Sequence, residues 1–297
     1  MRVRVRFEKT GSTRFLGHLD VMRYFQKAVR RSGLPIKYSQ GFNPHQLMVF
    51  AQPLGVGVTS DGEYMDIETE DVDFNGNELN AERAAGILGS ALTEGFEIVS
   101  IREIPWTEGT KHPENAMSLV GGADYMMSLK DGYELKKKNA GQAEALSVRL
   151  LKDMLKDFMK KGSIVVSKKS KSGEKEMDIR PYIYEAEVED NSGIPEFMYG
   201  DSKARNSEAQ AVNENGENAS SNENKCLDGA CIGIAHADVY LPGIRFFFRL
   251  SAGSAVNIKP ELVLGAFLES YGIEYEELAF QIHRANMFLN AEDTLGL

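Results

Sequence analysis

Cysteine is nearly missing: Cys226 and Cys231 are the only two in 297 residues. A disulfide framework is therefore excluded as the source of stability. No C-x₃-C-x₂-C triplet is present to hold an iron–sulfur cluster. A lone C-x₄-C is a poor zinc site. The five histidines, His18, His45, His112, His236 and His283, show no metal-ligand spacing, so neither a metal nor a cofactor is expected. The phosphate-loop, H-E-x-x-H and G-x-S-x-G motifs are all missing. No apolar run approaches the ~18 residues of a membrane span. Met1–Lys9 alternates arginine with apolar residues and lacks the apolar core of a signal peptide. A cytoplasmic protein with no membrane contact is expected.

What is present is a globular composition, 42% hydrophobic and 26% charged, with a formal charge of −10. The acidic total argues against indiscriminate coating of nucleic acid. It hides an asymmetry. Residues 1–50 hold ten Lys and Arg against two Asp and Glu, a balance of +8, and the remainder carries −18.

The patterning divides the chain in two. Arg2–Phe7 alternates as a strand with Val3, Val5 and Phe7 on the buried face. A helix runs from about Leu16 to Ser32, with Phe15, Leu19, Met22, Phe25 and Val29 as its apolar stripe and Gly33 at its end. Ile36–Ser39, Leu47–Ala51 and Glu63–Glu68 read as strands, Ala81–Glu94 as a helix and Phe96–Ile104 as a strand. Residues 106–120 read as a linker. The order then repeats: strand Ala123–Leu129, helix Ala143–Lys160, strands Ile164–Ser167, Met177–Ile179, Ile183–Val188 and Arg245–Leu250, helix Pro260–Ser270, and short strands Phe280–Ile282 and Met287–Leu289. The expectation is an α+β fold of two tandem ferredoxin-like (split βαβ) halves, residues 1–105 and 121–297. Residues 190–229, rich in Asn, Glu, Ser and Gly, interrupt the second half and are expected to be a disordered insertion that dilute protease cuts.

Chemistry concentrates in the first fifty residues. Arg23, Lys27, Arg30 and Arg31 share a helical sector, with Asp20 in reach of Arg23 and Tyr24. The sector suits a phosphate backbone, or is a solvated face. His18 falls in the first turn of the helix beside Arg14, where free N–H groups and the dipole favour an anion. It is a candidate general base, or a histidine at the edge of the core. Tyr38-Ser39-Gln40-Gly41-Phe42-Asn43-Pro44-His45 has no charged side chain but two aromatics and two amides. Such a loop suits stacking and hydrogen bonding to a base, or plugs the core. If Arg2, Arg4 and Arg6 lie beside the strand carrying Tyr64, Asp66 and Glu68, cross-strand pairs form, each worth little.

Arg14-Phe15-Leu16-Gly17-His18-Leu19-Asp20, Leu34-Pro35, the Tyr38–His45 loop, Pro53-Leu54-Gly55-Val56 and Glu63-Tyr64-Met65-Asp66 together resemble the radical-SAM-linked protein family. This is a bacterial domain of unknown function, found alone or fused to the C-terminus of cobalamin-binding-type radical SAM proteins. The resemblance covers most of residues 1–105 and returns weakly at Asp178–Ile183 and Lys259-Pro260-Glu261. Gly17, where the family usually has Ser, and Gln46, where Pro is common, depart from its pattern. The resemblance implies partnership with a radical SAM enzyme. Members tend to be encoded beside ribonuclease E/G-type proteins, which implies RNA metabolism. The tandem plan is also similar to CRISPR RNA-processing endonucleases, a likeness of fold alone.

The expected function is a non-catalytic accessory module that binds RNA, or another anionic planar substrate, for a separate radical SAM enzyme. Arg14, His18, Asp20, Arg23, Tyr38, Ser39, Gln40, Gly41, Phe42, Asn43 and His45 would form the site, with Arg14, His18 and the loop on one concave surface. The alternatives are a metal-independent ribonuclease with His18 as base, and a protein–protein adaptor.

Overall fold

A computed structural model describes residues 1–104, 115–130, 132–137, 146–170, 173–191 and 243–289. Its elements run β1 (Arg2–Lys9), α1 (His18–Ser32), β2 (Met48–Phe50), β3 (Val58–Glu68), α2 (Ala81–Gly89), β4 (Ile98–Glu103), α3 (Ala116–Leu119), β5 (Gly122–Leu129), α4 (Val148–Met159), β6 (Val165–Ser170), β7 (Gly173–Asp178), β8 (Ile183–Asn191), β9 (Gly243–Ser251), α5 (Pro260–Ser270) and β10 (Phe280–Phe288). The fold is α+β with one mostly antiparallel sheet and few helices. No helix among the described residues is long and apolar enough to cross a membrane.

The sheet has eight strands in the order β4-β1-β3-β10-β5-β9-β8, with β2 also on β3. Every pairing is antiparallel except β3 with β10, where Val58, Thr59 and Ser60 run parallel to Ile282, His283 and Arg284. That three-residue register joins the two halves of the sheet. β6 and β7 form a separate hairpin between α4 and β8.

The alternation of β1 works as expected on one face. Val3, Val5 and Phe7 are buried with Phe25, Ala28 and Val29 of α1. Phe7 lies 4.6 Å from Phe25, and Tyr24 stacks at 4.5 Å on Phe96. The other face is buried too. α3 lies over it, and the Ala116 N–H donates to Asp66 at 2.8 Å. Arg4 donates twice to Asp66, at 2.7 and 3.0 Å, and Arg2 once at 3.2 Å. The cross-strand pairs therefore exist, but as desolvated pairs rather than the weak surface pairs the alternation suggests. The last residues of the expected linker, Asn115–Leu119, are a capped turn of helix; residues 106–114 lie outside the described residues.

Other boundaries shift for local reasons. The stripe of α1 is Val21, Phe25, Ala28 and Val29, whereas Phe15 and Leu19 are exposed. Ile36–Ser39 makes only single bridges, Ile36 to Thr69 and Tyr38 to Gln46. α2 stops at Gly89, short of Glu94. Gly95 beyond it has φ +91°, and a Cβ there would stand 2.5 Å from Thr13 Cγ2 and 2.8 Å from Thr10 O. Only glycine allows this approach, which seats the turn leading into α1. The two short strands expected at the end are one, β10. Of the expected insertion only Asp190 and Asn191 are described, and they end β8; the rest of it, with both cysteines, lies outside the described residues.

Candidate functional site

α1 begins without a side-chain cap, because Gly17 occupies the N-cap position. His18 is its first residue. The imidazole stands edge-on to Phe50 at 5.7 Å and makes no hydrogen bond among the described residues. Beneath it Phe7, Lys9, Val21, Phe50, Gln52, Leu54 and Glu63 line a small recess. Its floor is polar. Glu63 takes two hydrogen bonds from Arg284 of β10, at 2.7 and 2.5 Å, and Arg284 also donates to Gln52 O at 3.3 Å. Gln52 Oε1 is buried with no hydrogen-bond partner among the described residues.

Lys9 is 1% exposed. Its ammonium donates to the carbonyls of Arg14 and Gly55 at 3.4 Å and of Val58 at 3.3 Å. Burial pushes its pKa down to about 8; Glu63 opposes the shift and Arg284 adds to it. His18 is also held below its ordinary value by burial, with Glu63 opposing. It is therefore neutral at neutral pH, an acceptor or a base.

The Lys9 shift has a consequence for stability. The unfolded chain holds this proton up to about 10.5, whereas the folded chain releases it near 8. Between those values the unfolded state binds more protons, so stability rises with pH in that window. Urea midpoints taken at both ends of the window should show a rise in the wild type that Lys9→Met lacks. Parallel pH profiles for the two proteins would contradict the assignment.

The loop lies further along α1. Ser39 and His45 close it: Ser39 N donates to His45 O at 2.8 Å, His45 N donates to Ser39 Oγ at 3.1 Å, and Ser39 Oγ meets His45 Nδ1 at 2.8 Å. Gly41 sits at φ +119°, a conformation side chains rarely adopt. Gln40, Gly41, Phe42 and Asn43 are exposed at the tip, Phe42 completely. Gln46 Nε2 donates to Gln26 O of α1 at 3.3 Å and ties the loop to the helix. Arg23, Lys27 and Arg30 flank Gln26 in the sequence and are exposed. Arg23 is 3.6 Å from Asp20. Arg31 caps Ala91 O at 2.8 Å and covers Tyr24, whose hydroxyl pairs with Thr93 rather than with Asp20.

The expected residues thus fall into three places. The loop and the basic face adjoin. His18 stands over the recess, eight residues before Gln26, about 12 Å along the helix axis. Arg14 turns the other way, donating to Gln281 at 3.2 Å. Among the described residues no hydrogen bond or ring contact joins His18 to the loop. Arg2, Arg4, Arg6 and Lys9 are buried, so four of the ten basic residues behind the +8 excess do not reach the surface. Sequence reasoning missed Lys9, Gln52 and Arg284. Arg284 gives no local signal, because its partner lies 221 residues away.

Comparison with known proteins adds little on fold. A solved structure, a Cbf5-Nop10-Gar1 complex, aligns with TM-score 0.42 and 8% identity over 96% of this chain. The chain spans about half of that chain, 48%. A search of curated proteins found no match. The model of a bacterial family matches residues 2–216, most of the chain, and the chain belongs to that family, described as an uncharacterized protein conserved in bacteria (DUF2344).

Proposed function

We propose that this chain is a non-catalytic accessory module that binds single-stranded RNA along α1 and the Tyr38–His45 loop and works with a separate radical SAM enzyme. The observation that carries the reading is Phe42. A phenylalanine fully exposed on a loop closed by its own hydrogen bonds, and tied to a helix bearing Arg23, Lys27 and Arg30, buries nothing in the folded chain. A ring held clear on a loop tied to a cationic helix suits base stacking next to a phosphate track. The radical SAM partner rests on the sequence resemblance. Two cysteines cannot supply a three-cysteine cluster motif, so in this reading the cluster belongs to the partner. The tandem ferredoxin-like plan is supported by the pairing orders β4-β1-β3-β2 and β10-β5-β9-β8, which repeat one pattern.

Titration of fluorescent oligoribonucleotides tests the proposal. Phe42→Ala should weaken binding by about 1–3 kcal/mol, roughly 5- to 150-fold, with the salt dependence unchanged. Arg23→Ala should flatten the salt slope by about 1. Undetectable binding at low salt would overturn the reading in favour of a protein adaptor. One observation favours the ribonuclease: the unbonded, neutral His18 imidazole at the open end of α1. Cleavage that survives chelator and vanishes in His18→Ala would replace the accessory reading.

A further inference from the structure

A groove of about 640 Å³ lies in the second half of the chain, between α5 and the β6–β7 hairpin. Its α5 wall is Glu261, Leu262, Gly265, Ala266, Glu269 and Ser270, one side of the helix. The opposite side, Val263, Leu264, Phe267 and Leu268, is buried in the core. α5 is thus apolar on both sides, and Leu262 and Ala266 line an open groove. The other wall is β6 with the two residues before it. Five successive residues, Ser163–Ser167, line the groove. A strand turned face-on would show alternate residues only, so β6 presents its edge. Among the described strands β6 pairs with β7 alone. Ile179 N donates to Ile164 O at 2.8 Å. In an antiparallel ladder the peptide group of Val166 then also points to β7, and those of Val165 and Ser167 point away from it. No backbone hydrogen bond among the described residues reaches them from the groove side. Bare edges are commonly blunted by charge. The sequence has lysines at 168 and 169, but Ser163-Ile164-Val165-Val166-Ser167 carries no charge, and Val165 is 58% exposed.

We infer that this groove binds an extended segment of a partner protein, which adds to β6 as a strand and lies against α5. Main-chain hydrogen bonds to Val165 and Ser167 hold such a strand, and side-chain contacts select it. The two walls match in length. Ser163–Ser167 as a strand and Glu261–Ser270 as a helix each run about 13 Å, enough for about five residues of the segment. Side chains alternate along a strand, so every second one meets the apolar floor of Phe158, Ile164, Leu262 and Ala266. Those positions take apolar residues. Glu261 and Glu269 form no ion pair among the described residues. Lys161 lies over the rings of Phe158 and Tyr271, at 5.1 and 5.6 Å. A Lys or Arg in the segment complements the two carboxylates. The same carboxylates repel a nucleic acid. The groove belongs to the second half of the chain and the RNA surface to the first, so either can fail alone.

Short random peptides displayed on phage and selected on the full chain supply the probe. Selected peptides should carry apolar residues at alternate positions and a Lys or Arg. In solution, N-methylating an amide that faces β6 should weaken the best peptide about tenfold. N-methylating the next amide, which faces away, should change its affinity little. Ala266→Lys fills the groove from a half-exposed helix position, where lysine is a good helix former. It should abolish binding with circular dichroism and urea midpoint unchanged; if it misfolds, the methylation pattern on the wild type decides. Glu269→Lys should select peptides with Asp or Glu in place of the basic residue. A selection that enriches nothing, uniform sensitivity to N-methylation, or full binding to a folded Ala266→Lys overturns the inference. So does a concentration-dependent dimer that Val165→Pro abolishes, because the edge then belongs to a second copy of this chain.

Discussion

Asp66→Asn should cost this protein about 3–5 kcal/mol, the range for removing one partner of a buried ion pair. Asp66 holds the arginine face of β1: it takes three hydrogen bonds from Arg2 and Arg4 and a fourth from the Ala116 N–H. Arg6, on the same face, has all three guanidinium nitrogens buried with no hydrogen-bond partner among the described residues. Neutralising Asp66 would leave Arg4 out of water without the carboxylate it bonds and would take one partner from Arg2. A typical domain has about 5–15 kcal/mol in hand, so urea unfolding should show a large fall in midpoint or loss of the folded state. Adding Arg4→Met to the variant should recover part of the loss, because it removes one of the stranded charges. A midpoint shift within about 0.5 kcal/mol, the ordinary range for a surface substitution, would mean that water reaches this face.

Glu63→Gln should be of similar size, about 3–5 kcal/mol, and it acts on the join between the two halves. Only three residue pairs connect β3 to β10. Side chains do the rest: Arg284 clamps Glu63, His283 lies between Thr59 at 2.9 Å and Asp61 at 3.0 Å, and Arg14 reaches Gln281. Losing the Glu63 charge leaves Arg284 buried beside Lys9 with no counter-ion. Hydrogen exchange should then rise at residues 58–60 and 282–284 before it rises at the β1–β4 edge. Replacing both partners, Glu63→Leu with Arg284→Met, should cost far less than either single change. If the double variant is as unstable as Glu63→Gln, packing rather than charge governs the join.

Much of the backbone plan was legible in the sequence. The alternation of Arg2–Phe7 and the bracket of Gly33 after α1 follow from side-chain period and left-handed glycine alone. Pro260 opening α5 is equally local. Burial by distant segments was not legible. Nothing near Arg2, Arg4 and Arg6 shows that Ala116 will lie against their counter-ion. Phe15 and Leu19 extend the stripe of α1 in register, yet they precede or open the first turn and stay largely exposed, Phe15 with the Arg14 guanidinium 5.6 Å from its ring. For the site, the exposed loop and basic face were readable from composition. The recess was not, because it is assembled from β1, α1, β2 with the segment after it, and β3.

β3 has a further consequence. One edge of its eleven residues belongs wholly to β1, but the other is shared: Met65, Asp66 and Ile67 pair with β2, while Val58, Thr59 and Ser60 pair with β10. The brevity of β2 is what leaves room for β10. A β2 extended by about five residues in the same register would reach Ser60 and evict it. Conversely, a fragment holding only the first half would present bare main-chain donors and acceptors at 58–60, a template for any passing strand. Such a fragment would tend to self-associate or swap strands with its neighbour. The two halves are thus bound by a shared vulnerability, since each hides the other's sticky edge.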